Sequence, residues 1–125
     1  MKKISFLYLS LLIFIPFIFS GCDQYVDFRG TETKEDNLYI IDFQILNSSR
    51  SHDMNLHAGD TIDVHVIKEF GSCTIYIECF EWESYFVRFD VSTIDYVVPI
   101  TETGSYHFCV EGNNATGYIK FKVRE

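Results

Sequence analysis

The 125-residue sequence is poor in the features that mark nucleic-acid binding or phosphate chemistry. Only 10 lysines and arginines stand against 18 aspartates and glutamates, so the formal net charge is −8. A surface of this sign repels nucleic-acid phosphates and anionic lipid headgroups. The sequence also has no glycine-rich phosphate loop. We therefore expect no nucleic-acid partner and no basic patch that would hold a membrane.

The four cysteines lack the spacing of a redox or zinc motif. Cys22, Cys73, Cys79 and Cys109 include no pair separated by two residues, which argues against a thioredoxin-like motif or a zinc knuckle. A cysteine nucleophile also needs a positioned base and an orienting group, and no such signature surrounds these residues. The sequence thus predicts neither an enzyme nor a cofactor. A small hydrolase or redox protein is the least supported alternative.

The longest apolar run lies at the N-terminus, between Ile4 and Phe19, and follows the basic pair Lys2-Lys3. It is shorter than the roughly 20 residues that a membrane-spanning helix needs, and Pro16 interrupts it near its end. Small residues follow directly, which allow a signal peptidase to approach the backbone. These features indicate a secretory signal.

The residues Phe19-Ser20-Gly21-Cys22 resemble the lipobox of bacterial prolipoproteins, in which an apolar residue and two small ones precede an obligatory cysteine. Phe19 replaces the usual leucine. The resemblance implies that Cys22 receives a diacylglycerol thioether and becomes the first residue after cleavage. Two or three acyl chains there would hold the protein stably on a membrane. An ordinary secretory signal or an uncleaved anchor helix is the alternative.

The sequence divides into three predicted segments: a lipoprotein signal peptide over residues 1–21, an acidic tether over 22–37, and a β-sandwich domain over 38–125. Loss of the two N-terminal lysines would bring the net charge to about −10. The tether is rich in acids and has no sustained apolar period. Because acidic linkers repel themselves and extend, we expect it to be solvated and to hold the domain away from the membrane.

From Leu38 onward, apolar and polar residues alternate, which is typical of half-buried strands. Turn signals at Gly71-Ser72 and at 112–114 interrupt the alternation, and residues 47–55 are polar and turn-rich. About seven strands are predicted, over 38–45, 61–68, 73–82, 84–90, 93–100, 105–110 and 116–124. This spacing favours an all-β fold, a single antiparallel two-sheet sandwich of immunoglobulin-like or jelly-roll-like type.

Two stretches of this domain resemble known extracellular sandwiches. His57–Val64 is similar to their Gly-Asp-x-hydrophobic strand, and Thr103–Val110 is similar to their late Gly-x-Tyr-x-Phe strand. Bacterial pre-peptidase C-terminal domains and the GOLD domains of eukaryotic cargo receptors share these features. The resemblance implies a module that binds or interacts and does not catalyse.

The alternation of side chains along the predicted strands assigns the cysteines of the domain to different faces. Cys79 shares the face of Ile77 and is predicted to be a core residue, whereas Cys109 lies opposite Phe108. In an immunoglobulin-like order, the start of the third strand lies beside the end of the sixth. Cys73–Cys109 is therefore a possible disulfide, with free cysteines throughout as the alternative.

The histidines offer two further arrangements. His52 and His57 lie with two aspartates in a predicted loop, where a metal could bind. His65 and His107 occupy outward positions of strands that could be neighbours. Solvated histidines are commoner in both settings, so no metal site is predicted.

The aromatic run over residues 80–86 is the strongest indication of a binding surface. It contains Trp82, Tyr85 and Phe86 around a predicted turn, and solvent-facing rings can stack on sugars or anchor a protein. These three are the predicted partner-binding aromatics. The alternative is that Trp82 caps the core.

Together these patterns predict a lipid-anchored, extracytoplasmic protein of the cell membrane or cell envelope that binds a protein or a glycan. The alternative is a structural subunit that docks into an envelope complex through a strand edge.

Replacing Cys22 with alanine tests the anchor. Because no other feature of the sequence predicts membrane attachment, Cys22→Ala should appear in the soluble fraction or remain unprocessed. Fractionation and mass spectrometry of the N-terminus measure this. A mature, acylated, membrane-bound variant would contradict the prediction.

Overall fold

The computed structural model describes residues 26–80 and 83–125, and the described part is almost entirely β-structure. The strands are β1 (Phe28–Glu35), β2 (Leu38–Leu46), β3 (Ser49–Leu56), β4 (Thr61–Cys79), β5 (Glu83–Arg88), β6 (Ile94–Pro99) and β7 (Gly104–Val123). The predicted signal peptide, Cys22 and Trp82 lie outside the described residues. Within those residues, no helix has the length and apolar character needed to cross a membrane.

The two longest strands, β4 and β7, form the centre of the molecule. They pair antiparallel along nearly their whole lengths, from Ile62 opposite Val123 to Cys79 opposite Tyr106. The register shifts twice between Lys68 and Ser72. Such bulges bend a strand and increase its twist, so the pair turns here as a unit.

This bend divides the hydrogen-bonded ladder into two layers. The four-stranded layer has the order β3, β7 (104–111), β4 (72–79) and β5. The five-stranded layer has the order β1, β2, β7 (115–123), β4 (61–68) and β6. All pairings are antiparallel, and the predicted all-β, two-sheet sandwich of seven strands is confirmed.

The core lies between the two layers and follows from the alternation of the strands. Phe108 of the four-stranded layer meets Phe121 of the five-stranded layer, with ring centroids 5.2 Å apart. Tyr39 stacks on Phe121 at 5.9 Å. No polar or charged residue is fully buried in the described part of the chain.

Two predicted turns are bends within continuous strands. Gly71 adopts φ +74° inside β4, and Gly112 lies in β7 against the Leu46 side chain. Glycine and the polar residues around it signal a local change of backbone direction. Sequence alone does not tell a chain reversal from a bulge, since both use the same residues. The predictions of four separate strands here are therefore corrected to two long ones.

Two segments predicted as irregular are edge strands. Ser49–Leu56, predicted as polar and turn-rich, is β3, whose Met54 and Leu56 enter the core. Phe28–Glu35, predicted as solvated tether, is β1 and pairs with β2. An edge strand needs few apolar residues, because its backbone pairs with only one neighbour and much of it faces solvent.

A polar contact across the layers fastens β1. Glu32 accepts hydrogen bonds from the Tyr39 hydroxyl at 2.8 Å and from Arg50 Nε at 2.8 Å. Burial acts to raise the pKa of Glu32, but the bonds from Arg50 and Tyr39 outweigh it and hold the pKa below its usual value. Arg50 belongs to β3 and also lies over the Phe28 ring, 4.5 Å from its centroid. Glu32 therefore joins the edges of the two layers.

Gly71→Ala should destabilise the protein more than Gly59→Ala. Both glycines have positive φ, +74° and +98°, so alanine costs about 1–2 kcal/mol at either position. A Cβ on Gly71 would also lie 2.2 Å from the Asn114 carbonyl oxygen, whereas one on Gly59 would meet nothing within 4 Å. Urea unfolding measures the difference. Equal losses would show that the bend does not require this close approach.

Glu32→Gln should lower the free energy of unfolding by about 1.5–3 kcal/mol at pH 7, because hydrogen bonds to a charged group are lost. The lowered pKa means that this stabilisation is complete above the pKa of the unfolded chain. It disappears as pH falls through the folded value. The wild-type advantage should therefore shrink on acidification in denaturant titrations. Glu35→Gln, an equal charge change on β1, is the control, and a pH-independent difference would contradict the ionic explanation.

Candidate functional site

The outer face of the five-stranded layer carries two open grooves, and we call it the groove face. The first groove, of about 340 Å³, is lined by residues including Asp42, Gln44, Ile67, Thr116 and Tyr118, and is called the Tyr118 groove. The second, of about 380 Å³, is lined by residues including Asp63, His65, Asp95, Val97 and Lys120, and is called the Lys120 groove.

Strand register explains why these side chains meet. Tyr118 of β7 lies opposite Asp42 of β2 on one side and opposite Ile67 of β4 on the other. Residues directly opposite in an antiparallel pair share a face. One step along, Lys120 lies opposite Ile40 and His65. The alternation that sends Ile119 and Phe121 into the core thus places Tyr118 and Lys120 on the groove face.

The rings of Tyr118 and His65 lie between the two grooves. Tyr118 and His65 contact each other edge to face, with centroids 6.1 Å apart. Phe70 pairs with Thr116 at the bend of β4, between the two register shifts, and is 69% exposed. Rings on a sheet surface offer flat apolar platforms beside polar tips. The groove face therefore combines stacking surfaces with carboxylate, amide, hydroxyl and amino groups.

Most acids of the Lys120 groove already have partners. Asp63 accepts a hydrogen bond from Arg124 Nε at 3.1 Å. The hydrogen bond from Arg124, aided by its charge and by the charges of Lys122 and Lys120, outweighs desolvation and holds the pKa of Asp63 below its usual value. Asp95 is bonded to His65 Nδ1. Within residues 26–80 and 83–125, neither Lys120 nor Lys122 lies in an ion pair with a carboxylate.

The described members of the predicted aromatic site, Tyr85 and Phe86, do not form an exposed patch. The Tyr85 hydroxyl donates to the Pro99 carbonyl at 2.6 Å and accepts from the Thr101 amide at 2.9 Å. Phe86 is half-buried and packs edge to face on Tyr96 at 6.3 Å. Tyr85 and Phe86 therefore connect the two layers.

The structure does not bring Cys73 and Cys109 together, and the three described cysteines are free. Cys73 lies opposite Gly112, three positions from Cys109 along β7, a separation of about 10 Å. A disulfide requires Cα atoms within about 7 Å. Cys73 also faces the core, where burial raises the pKa of its thiol to about 11. The predicted bridge assumed a strand order that this sandwich does not have.

The histidines are also distributed differently from their predicted arrangements. His52 lies in β3, with Nε2 2.6 Å from the Glu35 carbonyl oxygen, while His57 remains in the turn beside Asp60. His65 and His107 belong to different layers, and His107 is bonded to Asp53 at 2.5 Å. The described residues include no group of three potential ligands that could hold a metal.

Sequence reasoning identified the outward position of His65 but did not identify Tyr118 as a site residue. The missing information was the order of the strands. Tyr118 directly precedes the buried Ile119, and a tyrosine is found in cores as well as on surfaces. Only the register of β2, β7 and β4 places it beside Asp42 and His65.

Comparisons with known proteins support the fold. No protein-family model and no curated protein matches the chain. The pre-peptidase C-terminal domain of a Bacillus anthracis collagenase is similar at 15% identity over 75% of this chain and 99% of its own, with a TM-score of 0.50.

Two other solved structures show the same general likeness. PliG of Aeromonas hydrophila, a periplasmic inhibitor of g-type lysozyme, shares 9% identity over 81% of this chain and 92% of its own, with a TM-score of 0.49. A carbohydrate-binding module of Cellvibrio mixtus lichenase 5A, solved with cellotriose, shares 13% identity over 82% of this chain and 90% of its own, with a TM-score of 0.47. At these identities the likeness concerns the fold alone, and the resemblance to pre-peptidase C-terminal sandwiches holds at that level.

Proposed function

We propose that this protein is a non-catalytic glycan-binding module, held at the bacterial cell envelope by a lipid on Cys22. The observation that carries the proposal is the pair of adjacent grooves on one sheet face, joined by the Tyr118–His65 ring contact. The lipobox-like sequence before Cys22 supports the anchor and the extracytoplasmic location. The acidic surface supports attachment through lipid alone.

The chemistry of the Tyr118 groove suits a sugar. A pyranose presents an apolar face of C–H groups and a rim of hydroxyls. The Tyr118 ring can cover the apolar face, while the carboxylate of Asp42, the amide of Gln44 and the hydroxyl of Thr116 can bond to the hydroxyls. The described residues make no hydrogen bond to the Tyr118 hydroxyl, which leaves it available to a ligand.

The geometry supports binding more than catalysis. The grooves are shallow and open, and their side chains project from regular strands. Hydrolysis of a glycoside requires two carboxylates flanking the bond, one of them with a raised pKa. Asp63 has a lowered pKa and is bonded to Arg124, so it is unsuited to act as the acid.

A second candidate is docking of an envelope protein along the edge of β6. Ile94 and Val97 are 47% and 58% exposed on this six-residue strand, which pairs with β4. Exposed apolar residues on an edge strand favour pairing with another chain. This interaction would use backbone groups and would not depend on Tyr118.

Tyr118→Ala should weaken binding to a polysaccharide selected from a glycan array by about tenfold or more, because the stacking surface between the grooves is removed. Isothermal titration measures the affinity. Tyr76→Ala is the matched control, since Tyr76 lies on the outer face of the other layer against Phe89, 6.4 Å away. Equal affinity of the Tyr118→Ala variant and the wild type, or no binding to any glycan, would contradict the proposal. Protein capture that survives Tyr118→Ala would favour docking at β6.

A further inference from the structure

The basic residues at the end of β7 are the feature that the proposed function leaves unexplained. Lys120, Lys122 and Arg124 alternate along the strand, and the first two lie on the groove face opposite His65 and Asp63. The chain as a whole carries a net charge of −8. These three residues concentrate positive charge locally on a protein whose net charge is negative, and such a local field attracts anions.

Ion pairing inside the protein accounts for only one of these three cations. Arg124 is bonded to Asp63, and the other acid of the Lys120 groove, Asp95, is bonded to His65. Lys120 and Lys122 have no carboxylate at ion-pair distance in residues 26–80 and 83–125. The Lys120 ammonium group in the groove and the Lys122 ammonium group beyond it along β7 are therefore available to an external anion.

We infer that the Lys120 groove binds the carboxylate of a uronic acid, so that the ligand of this protein is an acidic polysaccharide. This inference rests on the proposed function. Lys120 lines the groove itself, directly beyond the Tyr118–His65 contact. A sugar stacked on Tyr118 would thus continue towards Lys120 and Lys122, which are about 7 Å apart along β7.

The density of charge favours uronate over a heavily sulfated polymer. Two lysines suit a chain with one negative charge per sugar ring. Asp42 and Glu69 line the neighbouring Tyr118 groove and would repel further anionic groups there. At physiological salt, charges act over about 8 Å, so both grooves contribute to the selection. A uronate presents its single carboxylate to the lysines and its hydroxyls to the Tyr118 groove.

The experiment compares the full-length chain, purified in neutral detergent, with the double variant Lys120→Gln/Lys122→Gln. The probes are polygalacturonate, dextran sulfate, the best neutral polysaccharide from the array and vesicles of anionic phospholipid. Arg29→Gln/Lys34→Gln, an equal charge change on β1, is the control. Thermal unfolding of each variant verifies the fold.

We expect the double variant to bind polygalacturonate about tenfold more weakly at low salt, while the control binds it as the wild type does. Binding of the neutral polysaccharide should be unchanged. Added salt should weaken the wild-type interaction and have less effect on the double variant.

Three results would overturn the inference and leave the proposed function intact. These are equal polygalacturonate binding by the double variant and the wild type, tighter binding of dextran sulfate than of polygalacturonate, and preference for a neutral polysaccharide. Binding to anionic vesicles that is lost in the double variant would also overturn it, because a lipid surface would then be the ligand. Absence of binding to any polysaccharide would overturn the inference together with the proposed function.

Discussion

The pairing of β4 with β7 is the constraint on which the rest of this sandwich depends. Each of the remaining strands is attached directly to one of these two or, in the case of β1, through β2. Because both bend at the same level, where Gly71 approaches the Asn114 carbonyl oxygen, one ladder supplies the centre of both layers. The alternation on either side of the bend sends one set of side chains inward and the other outward. The core and the groove face are therefore two consequences of one strand pair.

Contacts at the open sides of the sandwich complete this arrangement. On one side, Glu32 joins β1 to Tyr39 and Arg50. On the other side, the Tyr85 hydroxyl holds the segment around Pro99 and Thr101. Both sets of hydrogen bonds link an edge strand of one layer to the other layer. Tyr85, one of the predicted binding aromatics, is thus engaged in connecting the layers.

The local charge of the groove face differs from the net charge of the whole chain. A net charge of −8 opposes nucleic acids and anionic membranes at long range. Within about 8 Å, however, a ligand responds to individual groups. Asp63 is paired with Arg124 and Asp95 is bonded to His65, so the acids nearest to Lys120 have partners of their own. The inferred uronate site depends on this local arrangement, although the net charge of the chain is negative.

The sequence by itself determined the β class and the inward rows of β2, β4 and β7, because side chains that alternate with a period of two place every second residue of a strand on the buried face. It also determined that Lys120 and His65 face outward. Only the tertiary structure decided which strands are neighbours, and hence that Tyr118 meets His65 while Cys73 and Cys109 do not meet. Strand order depends on contacts between residues far apart in the chain. The alternation of apolar and polar residues within a strand is the same whichever strands lie beside it. The sequence also left open whether β4 and β7 are continuous strands, because the same glycine and polar residues occur in bulges and in turns.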